Sequence, residues 1–512
     1  MESPVIPNRR NFLASASTIL TPRKPADNIT AGAAAAVEPR PAPTVAPMAS
    51  RPNVLYVILE DAGPHFGCYG EPLVQTPHLD RFAAQGVRFA DAFCTAPVCS
   101  ASRSALMTGC YQTYIGCHNH RTWEGSKKRL PKPVAHLSDW FRAAGYFTCN
   151  LQPQTKARAK GARAKLNGPG GSGKIDLNFL IDAPQPGDPF DGDDWSQRAP
   201  GQPFFAHITI METHKGAGWG VAREQPKPER VDPEKLQLPP YFPDHPIARD
   251  EYANYLDAMH LVDGYLGRLL ARLEKDGLAQ NTIVVVSSDH GPLFRGKQFL
   301  YDNGLRIPLL VKFPDGRGAG TVDRRLASGV DLAPTLLGFA GVTPPPGAVH
   351  GRDLFAPGGT HPTHVFAARD RMDTSIDRMR AVRTERFKYI RNYLPAVPYM
   401  QHNAYKEKNY PTWNLVKALA REGTIRPPEA ALLASAVKPI EELYDLAADP
   451  HEVKNLAGEA GHAATLLELR GLVDDFVRDF DRGTAYEDPV EIFRGYNGFL
   501  PEEAGRGKPD HS

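Results

Sequence analysis

Apolar residues recur along this chain in two distinct periods. Val54-Leu55-Tyr56-Val57-Ile58-Leu59 and Ile283-Val284-Val285-Val286 are unbroken apolar runs, the pattern of parallel strands buried on both faces. Phe204 to Ile210 reads as another strand. Between the strands Tyr252, Tyr255, Leu256, Met259, Val262, Leu266, Leu269, Leu270 and Leu273 recur at three- and four-residue spacing, which predicts a long helix over 248–275 with one face in the core. Asp331 to Leu337 reads as a further helix, and the alternation of strands with helical stretches points to an α/β sandwich. Beyond Pro344-Pro345-Pro346 the pattern changes. Arg380 to Arg391 predicts a hairpin, and Glu442-Leu443-Tyr444-Asp445-Leu446 with Asp449-Pro450-His451-Glu452 leads into a C-terminal helix. The expected division is a first domain over 51–345 and a smaller one over 346–512, which a chain of 512 residues accommodates.

The polar residues that interrupt these runs carry the candidate chemistry. The first strand ends in Glu60-Asp61 and the strand beginning at Thr282 ends in Asp289-His290-Gly291, so both acidic pairs fall where parallel strands place functional residues. Neighbouring side chains of a strand point to opposite faces, so Glu60 and Asp61 converge only where the strand breaks, with Gly63 and Pro64 expected to break it. Three carboxylates and an imidazole favour a hard divalent ion, calcium or magnesium, without excluding zinc. An isolated Asp-His-Gly is otherwise a cap or turn. Cys99 heads the run Cys99-Ser100-Ala101-Ser102-Arg103, and if a helix starts there Arg103 shares its face. Any single cysteine is more often a small buried hydrophobe or half of a disulfide. If Cys99 is catalytic, five of the six cysteines remain and at least one is unpaired.

Together these segments resemble the formylglycine-dependent sulfatases of the alkaline phosphatase superfamily. The resemblance rests on Glu60-Asp61, Thr76-Pro77-His78-Leu79-Asp80-Arg81, Gly86-Val87-Arg88-Phe89, the cysteine run, Asp289-His290-Gly291 and Tyr301-Asp302-Asn303-Gly304, in that order. Leu238-Pro239-Pro240-Tyr241-Phe242-Pro243-Asp244 and the C-terminal pattern are similar to carbohydrate sulfatases related to heparan N-sulfatase. The resemblance implies a large mixed sheet flanked by helices with a smaller C-terminal α+β subdomain. It implies that a formylglycine-generating enzyme oxidises Cys99 to an aldehyde, whose hydrate attacks the sulfur of a sulfated saccharide. A calcium ion held by Glu60, Asp61, Asp289 and His290 would polarise the sulfuryl group, with magnesium or zinc as lesser candidates. Asp289 would act as base on the nucleophile, His214 would protonate the leaving group, and Arg103, Lys297 and Lys174 would supply fixed positive charge. The histidine that often follows this lysine by two positions is absent, and Asp176 stands in its place. His118, His120 and Arg369, in the clusters His118-Asn119-His120-Arg121 and Arg369-Asp370-Arg371, are candidates for the sugar pocket or simply solvated surface.

Composition and charge narrow the partners. A formal net charge of +2 gives no sign of a nucleic-acid binder, and no stretch after residue 50 has the length to span a bilayer. Asn8-Arg9-Arg10-Asn11-Phe12-Leu13 resembles a twin-arginine export signal, so residues 1–50 are expected to be an unstructured leader or linker to a periplasmic or secreted protein. Lys156, Arg158, Lys160, Arg163 and Lys165 read as a solvated loop insertion. Two alternatives stand beside the sulfatase reading: a phosphomonoester or phosphonate hydrolase of the same superfamily, and a glycan binder whose Cys99 is never converted.

Overall fold

The structure, a computed structural model, describes residues 44–45, 51–122, 124–151, 173–182, 184, 186–215, 219, 222, 230–359, 361–429 and 435–481. The Arg9-Arg10 motif and the basic stretch from Lys156 to Lys165 lie outside them. Seven strands form the main sheet: β1 (Asn53–Leu59), β2 (Val87–Phe93), β3 (Phe147–Asn150), β4 (Phe204–Ile210), β5 (Thr282–Ser288), β6 (Arg306–Lys312) and β7 (Thr321–Ser328). Their order across the sheet is β3-β4-β1-β5-β6-β2-β7. β1 runs parallel to both its neighbours, with Tyr56 opposite His207 and Val285. β6 is antiparallel to β5 and β2, so the sheet is mixed.

Every residue of β1, β4 and β5 is buried, as unbroken apolar strands covered on both faces must be. Helix α1 (Pro77–Ala84) packs on the long helix α3 (Pro246–Lys275), while α2 (Cys99–Leu106) packs on α4 (Gly329–Phe339). The stripe read from the sequence is the buried face of α3, where Tyr255, Leu256, Met259, Val262 and Leu266 are wholly enclosed. No described helix is long and apolar enough to cross a membrane.

A second sheet is antiparallel, in the order β8 (His364–Arg369), β9 (Met379–Thr384), β10 (Phe387–Asn392) and β11 (Glu441–Asp445). The predicted hairpin is β9–β10, with Arg380 opposite Arg391. Val382, Tyr389 and Leu443 on this sheet pack against Leu469 and Val473 of helix α5 (Ala463–Phe480). One difference concerns the expected leader. Thr44 and Val45 pair with Thr343 and Val342 in a two-residue antiparallel ladder.

Polar groups join the two sheets. Lys388 on β10 is fully buried and pairs with Asp302, which precedes β6, and with Glu452 at 2.6 Å. Asp302 N donates to Glu452 Oε2 at 2.7 Å, and Arg295 donates to the carbonyls of His451 and Glu452. Replacing Lys388 with Met takes away the cation that Asp302 and Glu452 share, leaving Asp302 with Arg383 at 3.4 Å, and removing one partner of a buried pair costs about 3–5 kcal/mol. The denaturation midpoint of Lys388→Met should fall accordingly, and a wild-type midpoint would show that this cluster does not hold the sheets together.

Candidate active site

The carboxyl ends of β1, β4 and β5 open onto one place. Glu60 continues the ladder, its N–H donating to Ile210 O at 2.9 Å. The break comes at Asp61 itself, which lies in the left-handed region at φ 52°, rather than at Gly63 and Pro64. Aspartate is among the few residues that tolerate that conformation. Asp61 N donates to Asp289 Oδ1 at 2.9 Å and Ala62 N donates to Ser288 Oγ at 3.0 Å, so each strand end is tied to the other. Gly291 is required by close approach, since a Cβ there would sit 1.9 Å from the Asn303 carbonyl oxygen.

The orientation of His290 bears on cation binding. Its Nδ1 lies 2.9 Å from Gly291 O and donates to it, while Asp289, Asp61 and the Cys99 thiol outweigh burial and hold the imidazole protonated, well above its ordinary range. Nε2 faces Asp61 Oδ1 at 3.1 Å and Cys99 Sγ at 3.3 Å. Burial opposes ionisation of Glu60, but Arg103 and Lys174 outweigh it and hold the carboxyl well below its ordinary range. Lys297 and His290 do the same for Asp61. Asp289 differs, because burial and the charge of Glu60 together push it upward despite His290 and Arg103. Asp61, Cys99, Asp289 and His290 each bring a ligand atom within 4.8 Å of the others, and a cation bound there would take the place of the Nε2 proton and offset the repulsion that raises Asp289, so the donor set fits a divalent cation.

Cys99 is the first residue of α2, preceded by Val98 in extended conformation, and all eight residues of the helix are buried. Lys297 Nζ donates to Cys99 Sγ at 3.3 Å and to Asp61 Oδ1 and Oδ2 at 3.0 and 2.8 Å. Burial raises the thiol's pKa, but Lys174 and Lys297 outweigh it and leave the thiol below its ordinary value. Arg103, one turn further on, donates from Nε to Asp289 Oδ2 at 3.2 Å and from Nη1 to Thr209 Oγ1 at 3.1 Å, and its Nη2 reaches Glu60. Lys174 bonds Glu60 and lies 3.3 Å from Asp176. His214, four residues past β4, shares a cluster with Glu60 and Asp61 and stacks obliquely on Tyr405 with ring centres 6.2 Å apart. Burial pushes its imidazole down to about 4, and an anion entering the pocket would raise it again.

The structure thus brings Cys99, Arg103, Lys174, His214, Asp289, Lys297, Glu60, Asp61 and His290 together. The sugar-pocket candidates divide. His120 is buried beside the cluster, its Nδ1 3.1 Å from Asp373 Oδ1. His118 is buried in the segment leading to it rather than open to a ligand. Arg369 does not line the site. Its side chain is wholly enclosed, with Nη1 2.8 Å from Asp377 Oδ2, a carboxylate that also takes Lys438. An arginine at the end of a packed strand turns inward when a buried carboxylate needs a partner. Sequence reasoning missed Asp373 and Tyr405. Tyr405 lies under Lys297, whose Nζ is 5.2 Å from the ring centre. Asp373 adjoins the charged run Arg369-Asp370-Arg371, its one local signal, but nothing local pairs it with His120.

Comparison with known proteins agrees with this geometry. A family model described as Sulfatase matches residues 52–173 and 191–342, and one described as N-sulphoglucosamine sulphohydrolase, C-terminal, matches 289–412. An ulvan-active sulfatase of Formosa agariphila is 32% identical over 467 residues, covering 83% of this chain and 74% of that protein. Human N-sulphoglucosamine sulphohydrolase is 25% identical over 458 residues, covering 82% of this chain and 88% of the human protein. Two solved structures share the fold. One, in complex with its substrate D-glucosamine-2-N,6-O-disulfate, is 19% identical with a TM-score of 0.56, covering 85% of this chain and all (100%) of that one. The other, a phosphonate monoester hydrolase from Silicibacter pomeroyi, is 20% identical with a TM-score of 0.57, covering 85% and 97%. With its family match, a relative 32% identical over 83% of this chain's length, and nucleophile, carboxylates and cations converging at the strand ends, the chain belongs to the sulfatase family.

Proposed function

We propose that the protein hydrolyses sulfate groups carried by a saccharide, with Cys99 as the precursor of its nucleophile. The observation that carries this reading is the position of Cys99 Sγ, 3.3 Å from both Lys297 Nζ and His290 Nε2, at the head of the helix that bears Arg103. Once a formylglycine-generating enzyme has acted, residue 99 supplies an oxygen nucleophile for sulfur. A divalent ion, calcium by the oxygen-rich donor set, would be held by Glu60, Asp61, Asp289 and His290 and would supply Lewis acidity at a sulfuryl oxygen. Lys174, Lys297 and Arg103 hold fixed positive charge where negative charge accumulates on sulfate, so no solvent reorganisation is needed there. Asp289, with its raised proton affinity, accepts the proton of the attacking hydroxyl. His214 delivers a proton to the leaving oxygen or nitrogen.

The saccharide is inferred from the relatives, one named for ulvan and one for N-sulphoglucosamine. In this reading residues 51–345 form the catalytic domain and 346–512 a C-terminal domain that lends Asp373 and Tyr405 to the pocket. Export to the periplasm or beyond through the Asn8-Arg9-Arg10-Asn11-Phe12-Leu13 motif belongs to the same proposal.

A sulfate monoester carries one negative charge where a phosphate monoester carries about 1.5 to 2 at neutral pH. This cationic pocket therefore holds phosphate tightly without turning it over well, and binding alone does not discriminate. The test is the ratio of kcat/KM on matched sulfate and phosphate esters, with sulfated mono- and disaccharides included. Sulfate should win by at least about 100-fold, and Cys99→Ala should lose on the order of 10³-fold or more. A preference for phosphate or phosphonate would replace this reading with the hydrolase alternative.

Metal analysis supplies a second test. The purified protein should contain one divalent ion per chain, calcium in preference to magnesium or zinc, and Asp289→Asn should lose both the ion and activity. Active protein free of divalent ions and indifferent to chelator would contradict the assignment.

A further inference from the structure

His120 is 3% exposed and held from both sides. Its N–H donates to Arg371 O at 2.9 Å, and the next residue, Arg121, donates from N to Ser100 Oγ at 2.8 Å, beside the nucleophile. The ring's Nδ1 lies 3.1 Å from Asp373 Oδ1, which places the proton on Nδ1 and leaves a lone pair on Nε2. That Nε2 is buried without a hydrogen-bond partner, and the Cys99 thiol is among the groups that act on this imidazole. Arg121 and Asp373 lie in the left-handed region, at φ 51° and 50°. Backbone of this kind persists where surrounding contacts over-determine it and is concentrated at functional sites. Asp373 comes from the loop after β8, so the pair joins the second sheet to the nucleophile helix. Asp176, the other carboxylate that acts on this imidazole, is a poor proton acceptor because Lys174 and Arg121 outweigh its burial and hold it far below the ordinary carboxylate range.

We propose that His120, oriented by Asp373, is the base that releases sulfate from residue 99, an assignment that rests on the sulfatase reading above. After sulfur has been transferred to one oxygen of the hydrated aldehyde, Nε2 of His120 accepts the proton of the remaining hydroxyl. The O–H electron pair becomes the C=O bond, and the C–O bond to sulfate breaks with its pair going to the departing sulfate. Water then rehydrates the aldehyde and the imidazolium returns its proton to solvent. His120 is the catalytic residue of this step and Asp373 a positioning residue.

The test uses full-length, converted protein with His120→Gln and Asp373→Asn. In His120→Gln, steady-state kcat should fall about 10²–10⁴-fold while the first turnover still releases alcohol in a burst, and intact-protein mass spectrometry should show sulfate retained on the residue 99 peptide. Unchanged kcat, or loss of the burst together with the steady state, would overturn the proposal. Asp373→Asn gives an independent reading if His120→Gln does not fold. The charged and titratable groups acting on His120 are Asp373, Cys99, Arg121 and Asp176, and Lys297 acts in turn on Asp373. Burial lowers the His120 pKa and the Asp373 carboxylate more than restores it, so removing that charge should move the acid limb of kcat to lower pH. A merely structural carboxylate would leave the limb in place, which would overturn the positioning role. Wild-type protein lacking an aldehyde at residue 99 would overturn the underlying sulfatase reading, whatever the variants do.

Discussion

Three carboxylates, Glu60, Asp61 and Asp289, are buried at the ends of two adjacent strands, each at most 1% exposed. An unpaired buried ion costs several kcal/mol even after the surroundings relax, so such a cluster folds only if cations are built in around it. Arg103 spans Glu60 and Asp289, Lys174 takes Glu60, and Lys297 takes Asp61. These are also the charges a sulfate needs. Structural necessity and catalytic electrostatics therefore rest on the same side chains, and the cations are fixed in place before any substrate arrives.

That arrangement depends on the sheet. β1, β4 and β5 are parallel neighbours with every residue buried, so their carboxyl ends are fixed relative to one another. Backbone bonds from Asp61 to Asp289 and from Glu60 to Ile210 then stitch the loops that follow. The second sheet is anchored by a buried cluster of the same kind around Lys388, and this anchorage lets a loop near β8 place Asp373 beside the nucleophile helix. A residue far away in sequence thereby enters the pocket with little freedom of its own.

What could be read from the sequence follows from how local each signal is. The apolar runs of β1 and β5, the stripe on α3 and the β9–β10 hairpin are periodic within a single element, and the structure contains each of them. The nucleophile helix, the strand-end acids and the three cations sit in short motifs, so their types and order were legible before any fold was known. Three features were not. Arg369 reads as a pocket residue in sequence, but its partner Asp377 becomes evident only when β8 and the loop after it are folded. The break at Asp61 depends on a bond to Asp289 across 228 residues, and glycine and proline were the more conspicuous breakers. The His120–Asp373 pair spans 253 residues, a separation at which single-sequence periodicity carries no information.

The central claim is that Cys99 becomes the nucleophile in this pre-charged pocket. It is tested most directly by measuring the fraction of residue 99 carried as the aldehyde, by peptide mass spectrometry, in preparations made with different amounts of formylglycine-generating enzyme, alongside sulfate release from one saccharide sulfate. Activity should rise in proportion to the converted fraction and vanish where only cysteine is found. Full activity in protein whose residue 99 is entirely unmodified would contradict the account.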